Sequence, residues 1–153
     1  MKSTTAVLTA AVAVSAAVAI VGAARIRQEK RHHGDRTEIA AARVQMDWLT
    51  QVATNRHLAE LWAPDDMSAD DYMGLMHANR LLCAVSLRDR LGMVSEDQRG
   101  LIASMLMKNK VVRAYRAKFG DLRAEEAATA RDERAMTLTA VLDRAARQYP
   151  AAA

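Results

Sequence analysis

The chain has 153 residues, 51% of them apolar and only 4% aromatic, so it is not disordered by composition and must build its core from Ala, Leu, Val and Met. Two prolines and six glycines are too few turn formers for an all-β sandwich, while abundant Ala, Leu, Arg, Met and Glu favour helix. The net charge of +4 sits near the N-terminus: Lys2 supplies one charge and residues 25–38 supply two, whereas residues 39–153 hold 16 basic against 15 acidic side chains, which argues against a nucleic-acid binder.

Residues 4–24 carry no charge. As a helix they would rise roughly 31 Å, about one bilayer core, so the pattern predicts a weakly hydrophobic transmembrane helix. The competing reading is a secretory signal peptide, with Lys2 as its n-region and Gly22, Ala23 and Ala24 near a cleavage site. Arg25, Arg27, Lys30 and Arg31 follow the segment at once and oppose export of what comes after. The positive-inside rule therefore predicts a single-pass anchor with the N-terminus outside and the rest cytoplasmic. Residues 25–36 read as a basic juxtamembrane linker.

A helical domain is expected over 37–149. Asp35 with Glu38 resembles a capping box, and Ile39, Ala42, Met46, Leu49 and Ala53 form an apolar face behind it, with Trp48 on its flank. Asn55 is a helix cap for a short segment carrying Leu58, Leu61 and Trp62, which Pro64 ends. Ser68 with Asp71 starts a helix to about Leu91, and Gly92 stops it. Ser95 and Gln98 start another, with Leu101, Ile102, Met105 and Leu106 as its buried stripe. A basic helix over 109–119 is expected to stop at Gly120, and Asp121 to cap a last helix reaching Gln148. In that helix Ala135, Leu138, Leu142, Ala145 and Tyr149 make a short heptad-like seam. The fold class is all-α: an N-terminal transmembrane helix followed by an irregular bundle of five or six helices.

Catalytic motifs are missing. There is no phosphate-binding glycine loop, no HExxH, no CxxC and no GxSxG. His32 and His33 are adjacent in the linker, and adjacent side chains do not converge on one metal. His57 and Glu60 fit helical ligand spacing but suit a surface better. Asp65, Asp66, Asp70 and Asp71 lack the spacing and glycine of a calcium loop and are accounted for by helix starts. Cys83 cannot form an internal disulfide and reads as a small core residue, with His77 near the buried face of the same helix. No metal, cofactor or catalytic residue is expected.

The strongest surface signal is the run Lys108, Lys110, Arg113, Arg116 and Lys118, opposed by Val112, Tyr115 and Phe119 on the other side. A cationic amphipathic helix on a cytoplasmic domain suits anionic lipid or an acidic protein partner. Trp48, Trp62, Tyr72 and Tyr115 are the candidate anchors for a protein partner, wherever they are exposed.

The apolar span, the basic linker, Trp48-Leu49, the segment Asn55 to Trp62, Asn79-Arg80-Leu81-Leu82, Leu91-Gly92 and Arg113-Ala114-Tyr115 together resemble a family of small actinobacterial membrane-anchored proteins classed as a domain of unknown function. The likeness covers roughly residues 5–125 and carries no activity over to any residue. The expected function is thus a membrane-tethered, non-enzymatic helical interaction module. The alternatives are an exported helical protein released by signal cleavage and an enzyme using Cys83 and His77.

Overall fold

The computed structural model describes the backbone of residues 2–149 and the side chains of residues 25–149. It contains six helices: α1 (Lys2–Thr54), α2 (Arg56–Trp62), α3 (Ala69–Arg90), α4 (Glu96–Met107), α5 (Lys110–Thr129) and α6 (Glu133–Gln148). No strand occurs among the described residues. The chain divides into two compact units, Met1–Ala40 and Ala41–Ala153.

Short polar side chains start most of these helices. Asn55, Ser68 and Ser95 accept hydrogen bonds from the backbone N–H groups of Leu58, Asp71 and Gln98, as their spacing predicts. Ser95 and Gln98 complete a reciprocal capping box, with the Ser95 N–H donating to Gln98 Oε1 at 2.9 Å. At the end of α3 the N–H groups of Gly92 and Met93 bond back to Asp89 and Arg88 carbonyls, and Gly92 takes φ +73°. This is a Schellman closure, and glycine enters its left-handed position without steric cost.

Three expected boundaries are corrected. No helix starts at Asp35, because α1 runs unbroken through residues 25–36. Gly120 does not stop α5; it lies buried in the helix interior, where the Arg116 guanidinium folds back over it, 3.4 Å from where a Cβ would stand. Asp121 caps nothing. The break falls at residues 130–132, where Arg131 adopts φ 52° and Asp132 caps α6. The Arg131 and Asp132 N–H groups bond back to Ala128 and Ala127, the same closure that ends α3. A left-handed arginine costs about 1 kcal/mol or more, so no glycine advertised the turn.

The second unit is a helical bundle whose register follows from a few contacts. Arg99 of α4 reaches Asp89 at 2.9 Å, and Arg134 of α6 donates to the Asp89 and Arg90 carbonyls at 2.6 and 2.8 Å. Both α4 and α6 therefore begin at the C-terminal end of α3 and run side by side, parallel to each other. The helix α5 runs the opposite way, with Arg116 ion-paired to Asp143 of α6. Between them lies the core: Leu49 and Val52 from α1, Leu75 and Met76 from α3, Met107 from α4, Val112 and Tyr115 from α5, Leu138 and Leu142 from α6.

Half of the stripe expected on α4 holds: Ile102 and Leu106 are half-buried, with Leu106 packed on the core, but Leu101 and Met105 are more than 60% exposed and Ala103 and Met107 fill the core in their place. Among the described residues no helix is long and apolar enough to cross a membrane. The span expected at 4–24 lies outside the residues whose side chains are described.

Candidate interaction surfaces

The basic run on α5 does not form one cationic face. Arg116 is 7% exposed and is committed to Asp143. Arg113 Nη1 donates to the Met107 and Lys108 carbonyls at 2.6 and 3.0 Å, closing the C-terminus of α4. Lys118 Nζ reaches Asp66 Oδ2 at 3.3 Å. Lys108 and Lys110 alone of the five are exposed without an ion-pair partner among the described residues. Charge spacing along a helix cannot distinguish a cation facing water from one spent on a neighbouring helix, which is why the run read as amphipathic.

The four basic residues expected to set topology all lie on α1 and are exposed. Arg25 Nε pairs with Glu29 at 3.1 Å in a solvated i, i+4 contact, which contributes a few tenths of a kcal/mol, about 0.3–0.5. Arg27, Lys30 and Arg31 have no such partner among the described residues.

Cys83 and His77 do not meet. Six residues along one helix differ by about 120° in direction, and His77 is exposed while Cys83 is half-buried. The Cys83 thiol lies 3.5 Å from Asn79 Oδ1 and 3.7 Å from Gln45 Nε2. Burial pushes its pKa up, the wrong direction for a thiolate nucleophile. His57 is exposed on α2. No group of His, Cys, Asp and Glu among the described residues is arranged to hold a metal ion.

Cys83 belongs instead to a polar seam through the middle of the bundle. The Tyr115 hydroxyl donates to Asn79 Oδ1 at 2.9 Å and accepts from Arg123 Nε at 3.0 Å, and Arg123 Nη1 bonds Glu126 at 2.6 Å. Tyr115 is 2% exposed and packs at 5.1 Å on the Phe119 ring. Burial raises its pKa, so it stays a neutral donor across the physiological range. These residues fix one packing of α3 on α5.

Of the four aromatic anchor candidates, Tyr115 is buried and Tyr72 half-buried. Trp48 and Trp62 are different. They meet edge to face, with ring centroids 5.5 Å apart and planes at 84°. Trp48 is 41% and Trp62 58% exposed, and Leu61 and Val44 add 65% and 71% exposed apolar side chains on the same two helices. The capped start of α2 at Asn55 and the Arg56 bridge to Glu60 and Asp70 hold that short helix in place. The pair is thus a preorganised aromatic platform. Large aromatics contribute most where they can be fully desolvated by a partner.

A second cluster was not legible in the sequence. Nothing in the local sequence Arg88-Asp89-Arg90 marks a buried site, yet Asp89 is 1% exposed and accepts from both Arg99 Nε and Nη2 at 3.0 and 2.9 Å. Its Oδ2 has no hydrogen-bond partner among the described residues. The cluster locks the starts of α4 and α6 onto the end of α3.

The chain belongs to a family of unknown function (DUF6082), which matches it over residues 1–153. A family of unknown function was expected from short motifs over residues 5–125, and the match covers the whole chain. No curated protein and no solved structure matches it.

Proposed function

We propose that this member of the DUF6082 family is a non-enzymatic helical interaction module, tethered by residues 4–24 with its N-terminus outside and its helical domain cytoplasmic. The observation that carries the docking role is the solvent-facing Trp48–Trp62 pair. A chain with only six aromatic residues buries Tyr115 in its core yet leaves both tryptophans at the surface. The Cys83 thiol, half-buried against Asn79 with its pKa raised by burial, argues against the alternative of an enzyme using Cys83 and His77. Support for the tether is the uncharged segment 4–24 followed by Arg25, Arg27, Lys30 and Arg31. The membrane-anchored, actinobacterial character of the family is part of this proposal.

A protein partner is favoured over anionic lipid on magnitude. Only Lys108 and Lys110 of the basic run are free to meet headgroups, and each contributes about 1 kcal/mol near an anionic surface. The test is in living cells. A photo-crosslinking residue at position 62 is expected to capture a discrete adduct in the membrane fraction, and Trp48→Ala to reduce it. A reporter fused after Ala153 is expected to be active in the cytoplasm. No adduct from position 62 defeats the docking role. An externally active fusion, or a mature chain starting near residue 25, defeats the tether in favour of export.

A further inference from the structure

The helices α4 and α6 run parallel, and the consequence is electrostatic. Acidic side chains collect at helix starts and basic ones at helix ends because of the macrodipole. Between antiparallel neighbours such gradients cancel. Between parallel neighbours they add. At the start of the pair stand Asp97 on α4 and Glu133 on α6; at the far end stand Lys108, Arg144 and Arg147. All five are exposed, and none has an ion-pair partner among the described residues. Between the two ends the outward positions include Leu101 and Met105 on α4, each more than 60% exposed, and Met136, Thr137 and Ala140 on α6. The steps 97, 101, 105, 108 and 133, 140, 144, 147 each follow one helix face.

We propose that this α4–α6 face is the interface of a two-fold symmetric homodimer. A second copy turned end for end sets its Lys108 and Arg144 against Asp97 and Glu133 of the first, and the reverse. Leu101 and Met105 of both copies meet across the middle, with Ala140 beside the two-fold axis. One surface is thereby complementary to itself, as an isologous contact requires. No other partner is demanded, because the acidic and basic ends match in position on the same two helices. The apolar band is short, so the dimer is weak, and salt loosens it by screening the end-to-end charges. This inference is independent of the tryptophan platform, which lies on α1 and α2.

The experiment uses the full chain in non-ionic detergent, with Cys83→Ser as background. Ala140→Cys is expected to give a covalent dimer under mild oxidation, with yield falling as salt rises. Lys108→Glu with Arg144→Glu is expected to lower the yield at least tenfold. Adding Asp97→Lys and Glu133→Lys to that variant restores the yield, which a mere folding defect would not allow. Helicity by circular dichroism accompanies each variant. No disulfide dimer from Ala140→Cys overturns the proposal. So does a yield indifferent to charge reversal, which would place dimerisation elsewhere on the chain, or a reversed set that stays helical yet fails to restore it.

Discussion

Removing Arg99 should harm the fold more than removing the carboxylate it serves. Asp89 is 1% exposed, and among the described residues Arg99 is the cation bonded to its carboxylate, both nitrogens converging on Oδ1, while Arg134 is spent on the Asp89 carbonyl. The Arg99 side chain is 16% exposed and lies nearer water. Arg99→Met keeps the length of the side chain and leaves a buried carboxylate without a counter-charge, at a cost of about 3–5 kcal/mol. Asp89→Ala leaves an arginine that can turn to solvent, so only the net bond is lost, about 1–2 kcal/mol. The double variant has no buried charge to strand and should cost about what Asp89→Ala does, less than Arg99→Met alone. Urea unfolding followed by helical dichroism, at one pH and salt, gives all three values. An Arg99→Met cost below about 1 kcal/mol, or a double variant equal to the sum of the singles, would refute the argument that this pair is a desolvated lock.

Two other sites give distinct outcomes. Tyr115→Phe deletes a hydroxyl bonded to Asn79 and Arg123 while leaving Cys83 and Glu126 as their remaining partners, so urea unfolding should show a loss of about 1–2 kcal/mol. Burial raises the Tyr115 pKa, so the unfolded chain ionises first and stability falls as pH climbs past 10; Tyr115→Phe should flatten part of that fall. Asp132→Ala removes the α6 cap and the Arg90 partner, for about 1–2 kcal/mol at neutral pH. The Ala135 N–H, then Arg90, hold the Asp132 carboxyl below its ordinary value near 3.8, so its contribution is present above that pH and lost as pH falls through the depressed value. The wild type and Asp132→Ala should converge in acid, and a gap that persists at the lowest pH would contradict this.

The start pattern misled at Asp35 and Asp121, which lie inside α1 and α5, but helix starts were legible where one side chain satisfies one backbone donor locally. Asn55, Ser68 and Ser95 each do so at the predicted place. Helix ends were legible only where glycine marked them. Gly92 closes α3 as expected, but Arg131 closes α5 in the same geometry without glycine, and Gly120 sits mid-helix beneath Arg116. Both errors came from reading glycine as punctuation when tertiary packing had set its place. Burial was legible on α6, where Leu138, Leu142 and Ala145 are all buried. It was legible only in part on α4, where Ile102 and Leu106 are half-buried but Leu101 and Met105, equally expected inside, face out. Hydropathy ranks residues by what burial would gain, not by which neighbours a helix meets.

The same reasoning separates the charges that hold the bundle from those left for a partner. Arg113, Arg116, Arg99 and Arg134 all end on carbonyls or carboxylates of another helix or a helix terminus. Each was indistinguishable in sequence from Lys108, Arg144 or Arg147, whose side chains have no ion-pair partner among the described residues. Arginine suits the inward task because its guanidinium carries several donors and is weakly hydrated: Arg99 donates from Nε and Nη2 to Asp89, and Arg134 Nη1 alone donates to the Asp89 and Arg90 carbonyls. Among the described lysines, Lys30, Lys108 and Lys110 remain outside the network and only Lys118 reaches a carboxylate, consistent with a compact, strongly hydrated ammonium. Once the inward arginines are subtracted, what remains on the α4–α6 pair is a gradient from Asp97 and Glu133 to Lys108 and Arg144. That gradient exists because the Asp89 cluster pins both helix starts to the same end of α3. Loosening the cluster with Arg99→Met should therefore weaken the Ala140→Cys crosslink as well as the fold. Asp89→Ala combined with Arg99→Met, expected to be the more stable pair, should recover much of it.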